Sequence, residues 1–522
     1  MMHNLVMLGE GLLVVYASFL IGAEWLGALR VSFASPTKRF AYALLLGYGA
    51  FGITGFVCAW FGVFRAPYLW AFVGVIVLVS SRRIREHARV LFSSGNRSIL
   101  LRHIKEWFSE NRWLKILAVT WVVINISLVF VPLTGHDTLD YHFPVMQDLV
   151  KTGKLTFTGA VPSYKFFPVL AEIIYAVPIV LFHETTAPFV FQFLQYIAFV
   201  ILLMLIYAFV RSRVTYAFLA PVAVLLTLSL MDLEREVMHG GYIDVMVMLF
   251  GTASTLLLID YATDRSLGPR ELMLSAILLG VALSMKYSAL MFALVNVLFL
   301  CVGMFLRKSS FKNFLRGGAW YGIVALLISG FWYLKNTLFF GSPVYPMFSD
   351  MGFGASVNSF ILPRTFLNFF AFPFFAFGQW FVSDRESSSR LIVLIYFVAT
   401  YLSLLFLLVR REKITRVTWF LLCYVEFFLV FLFLTSHQVR FLLPPVIALP
   451  PLLGLLGESM LNMSLRKKND SQKSKALRWM RKLSLVAFLI LFIGNFHYFQ
   501  IKFQYLTGSY TKAEYIKEIG GQ

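Results

Sequence analysis

Long stretches of apolar residues are separated along the chain by short stretches rich in charged and polar residues. About 20 apolar residues in a helix cross the ~30 Å hydrocarbon core of a bilayer. Only helices and closed barrels satisfy their backbone hydrogen bonds in lipid. Because the apolar stretches are continuous rather than alternating, they predict helices and not barrel strands. We predict roughly 13 or 14 spans, at about 4–29, 40–64, 67–81, 116–133, 188–210, 214–231, 242–260, 272–286, 288–306, 317–334, 391–409, 415–435, 441–457 and 484–500.

This pattern predicts an all-α fold, a polytopic transmembrane helical bundle. Composition agrees, because 59% of residues are hydrophobic and 14% are charged, whereas soluble domains are about 25% charged. Residues 1–25 lack a basic start and a small-residue cleavage site, which favours a first membrane helix over a cleaved signal peptide. Cys58, Cys301 and Cys423 lie inside apolar runs, which is typical of small core residues rather than of a disulfide or zinc framework.

The net charge is +20, and its distribution indicates sidedness rather than nucleic-acid binding. Lys and Arg are concentrated in 82–115, 307–316 and 458–483, with smaller groups at 211–213 and 410–413. The positive-inside rule places these loops in the cytoplasm. The loops rich in Asp, His, Tyr, Gly and Pro then lie outside, at 134–187, 232–242, 336–389 and 436–440.

A count of crossings then removes one apparent span. Residues 134–167 are predicted outside and 211–213 inside, so one crossing fits between them, and 188–210 is the better one. The apolar piece 168–183 is short and contains Pro178. It is therefore predicted to lie along the outer interface. The orientation of the first three helices stays open.

Three regions follow from these patterns. Residues 1–114 form an N-terminal transmembrane block with its basic cytoplasmic loop. Residues 115–460 form the transmembrane core that carries the candidate chemistry. Residues 461–522 hold a basic cytoplasmic loop, the last transmembrane helix and an outer tail.

Acidic residues mark two places on the predicted outer face. Asp137 follows directly on a membrane helix, with Asp140 and His142 close behind it. A carboxylate there can accept a proton from a hydroxyl or hold a metal, but ordinary residues of a solvated loop look the same. Asp244 lies at the outer end of a predicted helix. An acid at the edge of the hydrocarbon is a functional candidate, or a helix-start carboxylate favoured by the helix dipole.

Three cations are predicted near the same face: Lys286, Lys335 and Arg440. Together they can neutralise a phosphate. The alternative for each of them alone is snorkelling to lipid head groups. The chain has no GxxxxGK[ST] loop, HExxH, GxSxG or paired CxxC, which disfavours an ATP-driven motor and the common hydrolase and metal sites.

Several short motifs, in order along about 115–460, resemble those of polyprenyl-phosphate-sugar-dependent glycosyltransferases of the GT-C superfamily, related to the protein O-mannosyltransferase family (family 39-like). Residues 137–144 resemble a D-x-x-x-Y-H-x-P form, and 167–172 the start of a juxtamembrane helix. The other resembling stretches are Gly241–Asp244, Gly280–Ala289 with Lys286 and Tyr287, Phe331–Asn336 with Gly341–Pro346, and Val439–Pro444.

The resemblance implies a GT-C type bundle with juxtamembrane helices in the first large outer loop, and a set of site residues. Asp137 would be the catalytic base. Residues that would bind substrate or its phosphate are Asp140, Tyr141, His142, Asp244, Lys286, Tyr287, Lys335, Asn336, Tyr345, His437 and Arg440. This chain departs from the pattern because Thr138 follows Asp137 where many relatives have an adjacent Asp-Glu pair. Residues 1–114 are not covered.

The implied reaction moves a sugar from a polyprenyl-phosphate donor to a hydroxyl of a lipid, glycan or protein acceptor. It would occur at the extracytoplasmic face of the plasma (inner) membrane, among membrane lipids and without nucleic acid. The resemblance implies no particular cofactor, and a divalent metal is optional. A carrier or flippase for a lipid-linked glycan is the alternative. Polar residues near the bilayer midplane and matched halves would favour a transporter. A scaffold or polymer-synthesis partner without catalysis of its own is a third hypothesis.

Overall fold

The computed structural model describes residues 2–92, 101–102, 105–133, 135, 137–156, 166–182, 187–230, 241–345, 365, 367–369, 371–373, 387–435, 439–466, 468–494 and 496–515. Every regular element in these ranges is helical, so the predicted all-α fold class is confirmed. The helices of the first half are α1 (Met2–Ala28), α2 (Pro36–Trp60), α3 (Ala66–Val79), α4 (Ser81–Phe92), α5 (Arg112–Ile126), α6 (Phe143–Thr152), α7 (Leu170–Phe182), α8 (Ala187–Arg211) and α9 (Leu219–Leu228).

The second half continues the same all-helical pattern. In the first half, a π-helical turn, Thr138–His142, leads into α6. In the second half, a 3₁₀ turn, Val439–Leu442, leads into the helix that begins at Leu443. The helices are α10 (Asp244–Thr263), α11 (Pro269–Leu283), α12 (Ala289–Leu306), α13 (Phe311–Phe340), α14 (Ser387–Val409), α15 (Arg416–Thr435), α16 (Leu443–Leu465), α17 (Asp470–Gly494) and α18 (Phe496–Leu506).

Within the described ranges, nine helices are long and apolar enough to cross a membrane, or ten if the bent pair α3–α4 counts as one span. The chain is therefore a multi-pass membrane protein. The prediction of roughly 13 or 14 spans is higher because several predicted spans are short helices. The stretches predicted as 116–133, 214–231 and 272–286 fold as α5, α9 and α11, of 15, 10 and 15 residues. At about 1.5 Å per residue, such helices fall short of ~30 Å.

The chain divides into two compact units. Unit 1 comprises residues 1–100, 132–202 and 236–356, and unit 2 comprises 101–131, 203–235 and 357–522. In unit 2, α16 packs against α9, α14 and α15. Its buried Glu458 accepts hydrogen bonds from the backbone N–H groups of Thr215 and Tyr216, at 2.9 and 3.3 Å. The region boundaries predicted at 114 and 460 stay predictions.

The central helix of unit 1 is α10, which is buried from Asp244 to Ala262. A helix that is apolar all round is stable only when other helices surround it, and α11 and α12 pack along it. Its first residue, Asp244, and its last-turn residue Asp260 mark the two ends of unit 1. We call these the Asp244 end and the Asp260 end.

Contacts in unit 1 orient the first three helices, which the sequence left open. Lys38, in the first turn of α2, forms an ion pair with Asp260. At the other end of α2, Ala59 accepts a hydrogen bond from Leu155 N, and Arg65 donates three hydrogen bonds to the last carbonyls of α6. The loop between α2 and α3 therefore lies next to the C-terminal end of α6.

The segment 168–183 forms α7, and its 13 residues are too few to span, as predicted. Its surroundings differ from the prediction, because Leu170 to Leu181 are all buried in protein. The end of α2 comes close to α7 through Gly52 and Gly55, where an added Cβ would lie 2.8 and 2.7 Å from Ile174 and Ile173. Protein packing, rather than a lipid surface, explains why this helix is apolar on every face.

Candidate active site at the Asp244 end of unit 1

Asp137 lies at the start of the π-helical turn that leads into α6. Its carboxylate is half-buried and accepts a hydrogen bond from Tyr141 Oη on Oδ2, at 3.1 Å. The two residues are four apart, so the turn places them on one face. Asp140 lies on the same turn and is exposed. Single π-helical turns are rare and often occur at functional sites.

The last residue of that turn, His142, is paired with an acid that the sequence did not single out. His142 Nδ1 lies 2.6 Å from Glu172 Oε1, so that the ring N–H donates to the carboxylate. The two side chains are 1% and 3% exposed. Glu172 lies in α7, and the available signal was an acid inside an otherwise apolar 13-residue helix.

Gly241 brings the two acidic segments together. It has φ +64°, in the left-handed region that favours glycine. A Cβ added there would lie 2.7 Å from Thr138 Cγ2 and 2.7 Å from a ring carbon of Phe191. Since Gly241 precedes Asp244 by three residues, this packing brings the start of α10 next to the Asp137 turn. The other acids of the predicted outer loop 232–242, namely Asp232, Glu234 and Glu236, fall outside the described residues.

Asp244 is paired with Lys286. The Lys286 ammonium donates to both Asp244 carboxylate oxygens, at 3.0 and 2.9 Å. The Asp244 side chain is 8% exposed and the Lys286 side chain is 16% exposed. Asp244 is the first residue of α10, where the helix dipole favours a negative charge. Lys286 lies in the non-helical turn between α11 and α12. The pair that the sequence suggested as separate candidates is therefore a direct contact.

Tyr287 and Asn336 donate hydrogen bonds to the backbone carbonyls of Phe166 and Tyr345. Tyr287 Oη donates to Tyr345 O at 2.8 Å, and Asn336 Nδ2 donates to Phe166 O at 2.9 Å, to Tyr345 O at 3.2 Å and to Tyr287 Oη. Asn336 is fully buried. Burial raises the pKa of the Tyr287 hydroxyl, partly offset by its hydrogen bond from Asn336. The hydroxyl therefore stays protonated and remains a donor.

Lys335 lies beside this cluster and is 5% exposed. Its ammonium donates to Phe166 O at 3.3 Å and lies 5.5 Å from the Trp332 ring centroid. These contacts place it among protein groups rather than in solvent. Of the two lysines, Lys286 is the more accessible.

Two predicted site residues belong to unit 2. His437 lies outside the described residues. Arg440 falls in the 3₁₀ turn Val439–Leu442, and its side chain lies outside the described part. Their roles stay predictions.

No family model matches the sequence, and no curated protein matches it significantly. The chain is similar to solved structures. One of them is the crystal structure of ArnT from Cupriavidus metallidurans bound to undecaprenyl phosphate, with 14% sequence identity and a TM-score of 0.44. The similarity covers 79% of this chain and 74% of that chain.

The Asp244 end of unit 1 holds the predicted base Asp137 and nine of the eleven predicted substrate-binding residues. Asp137 and Tyr141 are in contact, as are Asp244 and Lys286, and Tyr287, Asn336 and Tyr345. In the described part of the chain, no group of three or more His, Cys, Asp or Glu side chains has a geometry suited to a metal ion.

Unit 1 also contains a buried polar cluster that the sequence did not predict. Near the middle of α10, Ser254 and Thr255 bond to Asn296 of α12, at 2.9 and 2.7 Å, and Ser254 also bonds to Ser275 of α11 and Tyr321 of α13. All of these side chains are buried and uncharged. Such hydrogen bonds hold transmembrane helices together. Each polar residue alone gave no signal within its apolar run.

Proposed function

We propose that this protein is a membrane glycosyltransferase that moves a sugar from a polyprenyl-phosphate donor to an acceptor hydroxyl. The observation that carries the proposal is the Asp244 end of unit 1. There, a half-buried carboxylate held by a tyrosine lies on a segment packed against the start of α10, where a Lys–Asp pair lies. The ordered motifs that resemble GT-C glycosyltransferases support the same reaction.

Asp137 is the general base in this proposal. Its carboxylate takes the proton of the acceptor hydroxyl, and the acceptor oxygen forms a bond to the anomeric carbon of the sugar. The hydrogen bond from Tyr141 fixes one carboxylate oxygen. The bond between the anomeric carbon and the phosphate oxygen breaks, and polyprenyl phosphate leaves with the bonding electrons.

Lys286 stabilises the leaving phosphate. An ammonium group has three donors, and the contacts with the two Asp244 oxygens use two of them. The third donor remains for a phosphate oxygen, on which negative charge develops as the sugar departs. Asp244 sets the position of the ammonium. Lys335 and Asn336 hold the surrounding backbone.

The Asp244 end faces outward in this proposal. The Asp260 end lies near Arg307 and Arg270, which donate to carbonyls of loops there, and basic loops favour the cytoplasmic side. The lipid tail of the donor stays in the bilayer while its sugar phosphate reaches the outer face. The leaving monophosphate carries less charge than a nucleotide diphosphate would, so a divalent metal is optional in this scheme.

The test supplies the purified protein, in proteoliposomes, with a panel of polyprenyl-phosphate sugars and candidate acceptors, and it measures released polyprenyl phosphate and glycosylated product. Asp137→Asn should lower kcat by a factor on the order of 10² to 10⁴. Asp148→Asn, in α6 and bonded to Thr156 at 2.8 Å, is the matched acid control. Full activity of Asp137→Asn would refute its role as the base. Movement of the donor across the bilayer without turnover would favour the carrier.

A further inference from the structure

His142 and Glu172 form a buried pair that the proposed reaction does not use directly. The two side chains are almost fully buried, and their contact is 2.6 Å long. Among the described residues, His142 Nε2 and Glu172 Oε2 have no hydrogen-bond partner. Burying two ionisable groups is costly unless they are paired, and a pair often costs more than apolar side chains of the same size. Because stability alone does not explain such a pair, we expect it to have a further role.

The position of the pair connects it to Asp137. His142 ends the π-helical turn at whose start Asp137 lies. The ring of His142 lies 4.1 Å, between centroids, from the ring of Tyr141, and Tyr141 donates to Asp137. A shift of the His142 ring would move the tyrosine, and with it the hydrogen bond on the carboxylate.

Glu172 belongs to a closely packed part of unit 1. It lies in the first turn of α7, next to Ile173 and Ile174, which are in close contact with Gly55 and Gly52 of α2. The backbone N–H of Leu170 also donates to Ser284 O, two residues before Lys286. The carboxylate of Glu172 is thus fixed relative to both the α2 helix and the Lys286 turn.

We propose that Glu172 is a positioning residue for the acceptor-activating carboxylate. It fixes the His142 ring, and through that ring it holds the turn that carries Tyr141 and Asp137. This inference rests on the proposed role of Asp137 as the general base. Glu172 does not touch substrate, because its side chain is 3% exposed. His142, which the sequence suggested as a substrate ligand, acts here through Tyr141.

The test compares Glu172→Ala with Glu172→Gln in steady-state transfer assays. The alanine removes the acceptor of the His142 N–H, whereas the glutamine carbonyl retains one. Small misplacements of a reacting group cost up to on the order of 10²-fold. We therefore expect Glu172→Ala to lower kcat by about 10- to 100-fold with KM for the donor changed less than about twofold. Glu172→Gln should recover most of the loss.

Glu271→Ala is the matched control, because Glu271 is a buried acid of the same unit at the Asp260 end, where it accepts a hydrogen bond from Gly268 N at 2.8 Å. It should lower thermal stability without changing kcat per folded molecule. If Glu172→Ala behaves in the same way, or if glutamine is no better than alanine in kcat per folded molecule, Glu172 has only a structural role and the proposal is wrong.

A second measurement does not depend on the proposed function. Hydrogen exchange of the backbone amides 138–152 should be faster in Glu172→Ala than in the wild type and in Glu271→Ala. Equal exchange in the three proteins would overturn the positioning role even if the protein is a glycosyltransferase. If no donor is turned over by the wild type but exchange rises as expected, the proposed function is wrong while Glu172 still fixes the turn.

Discussion

The two ends of α10 carry the same pair of residue types in different settings. Asp244 pairs with Lys286 at one end, and Asp260 pairs with Lys38 at the other. Asp244 begins the helix, where the dipole stabilises a carboxylate, whereas Asp260 lies in the last turn, where the dipole disfavours it. Lys38 lies in the first turn of α2, which is equally unfavourable for a cation. Lys286 lies in a turn outside any helix.

We propose that this difference separates a structural pair from a functional one. At the Asp260 end, each charge lies at an unfavourable helix terminus and is stabilised by its partner. At the Asp244 end, the helix dipole already favours the carboxylate, so the lysine is proposed to share its charge with a ligand. Changes at the Asp244 end should therefore affect activity as well as stability, and changes at the Asp260 end should affect stability alone.

Among variants that compare the two ends, the largest effect is expected for Lys286→Met, which keeps an apolar stem but removes the ammonium. If Lys286 neutralises the leaving phosphate, kcat should fall by a factor on the order of 10² to 10³. Transfer assays with a polyprenyl-phosphate donor measure this. The matched variant is Lys38→Met, which should leave kcat per folded molecule unchanged. Equal losses of activity in the two variants would show that the two ends do not differ.

Asp260→Ala should lower stability while leaving kcat per folded molecule unchanged. It leaves Lys38 without its carboxylate partner at the start of α2, and removing one partner of a buried pair costs about 3 kcal/mol or more. Asp244→Ala should cost at least as much stability, because it removes a carboxylate that the helix dipole favours together with the partner of Lys286, and it should also lower kcat. Unfolding in detergent by heat or by SDS titration compares the stabilities. A less destabilising Asp244→Ala would contradict the dipole argument, and a loss of kcat in Asp260→Ala would contradict a purely structural role for that pair.

Much of the fold was predictable, since it depends on hydrophobicity and charge along the chain. The number of spans was not, because helix ends depend on packing. For example, Leu272 and Lys286 bounded one predicted span, but the helix there ends at Leu283, where the turn that carries Lys286 begins. The burial of α7 was missed for a related reason: its apolar residues contact protein, and hydrophobicity alone does not distinguish protein from lipid.

Sequence reasoning singled out residues that lie together at the Asp244 end, but it did not predict which of them are in contact. Asp137, Asp244 and Lys286 carried a signal because charges next to apolar runs are unusual. Their pairing depends on which loops meet, and that is fixed by Gly241 against Thr138 and by contacts between distant segments. Glu172 stood inside a resembling motif, yet its partner His142 is 30 residues away and could not be chosen from spacing.

Gly241→Ala should loosen the contact between the Asp137 turn and the start of α10. The backbone at φ +64° disfavours a side chain, and the added Cβ would press on Thr138 and Phe191. Strain of this kind costs about 1–3 kcal/mol, so both stability and kcat should fall. The control is Gly341→Ala, also at positive φ but with open space around its Cβ. An equal loss of kcat in both variants would indicate backbone strain without a role for the contact.

Arg65→Ala should have a smaller effect, restricted to the α6 side of the Asp244 end. The guanidinium donates to the carbonyls of Val150, Lys151 and Thr152, at 3.1, 3.2 and 2.9 Å, where a cation also favours the helix C-terminus. The side chain is partly exposed, so we expect a loss of about 1 kcal/mol. Hydrogen exchange of α6 should rise while that of α10 stays unchanged. Unchanged exchange in α6 would show that the N-terminal helices do not stabilise it.

The smallest effect is expected at the Asp260 end, for Ser266→Ala. Hydrogen bonds from Ser266 Oγ and N, at 2.7 and 2.8 Å, hold the pKa of the Asp264 carboxyl below its usual range. A lowered pKa in the folded state contributes stability above the ordinary pKa of aspartate, and this stability is lost as the pH falls through the lowered value. Ser266→Ala should therefore reduce Tm slightly near neutral pH and have less effect at roughly pH 3. A difference that grows toward acid would contradict the assignment, and a change in kcat would make this end more than structural.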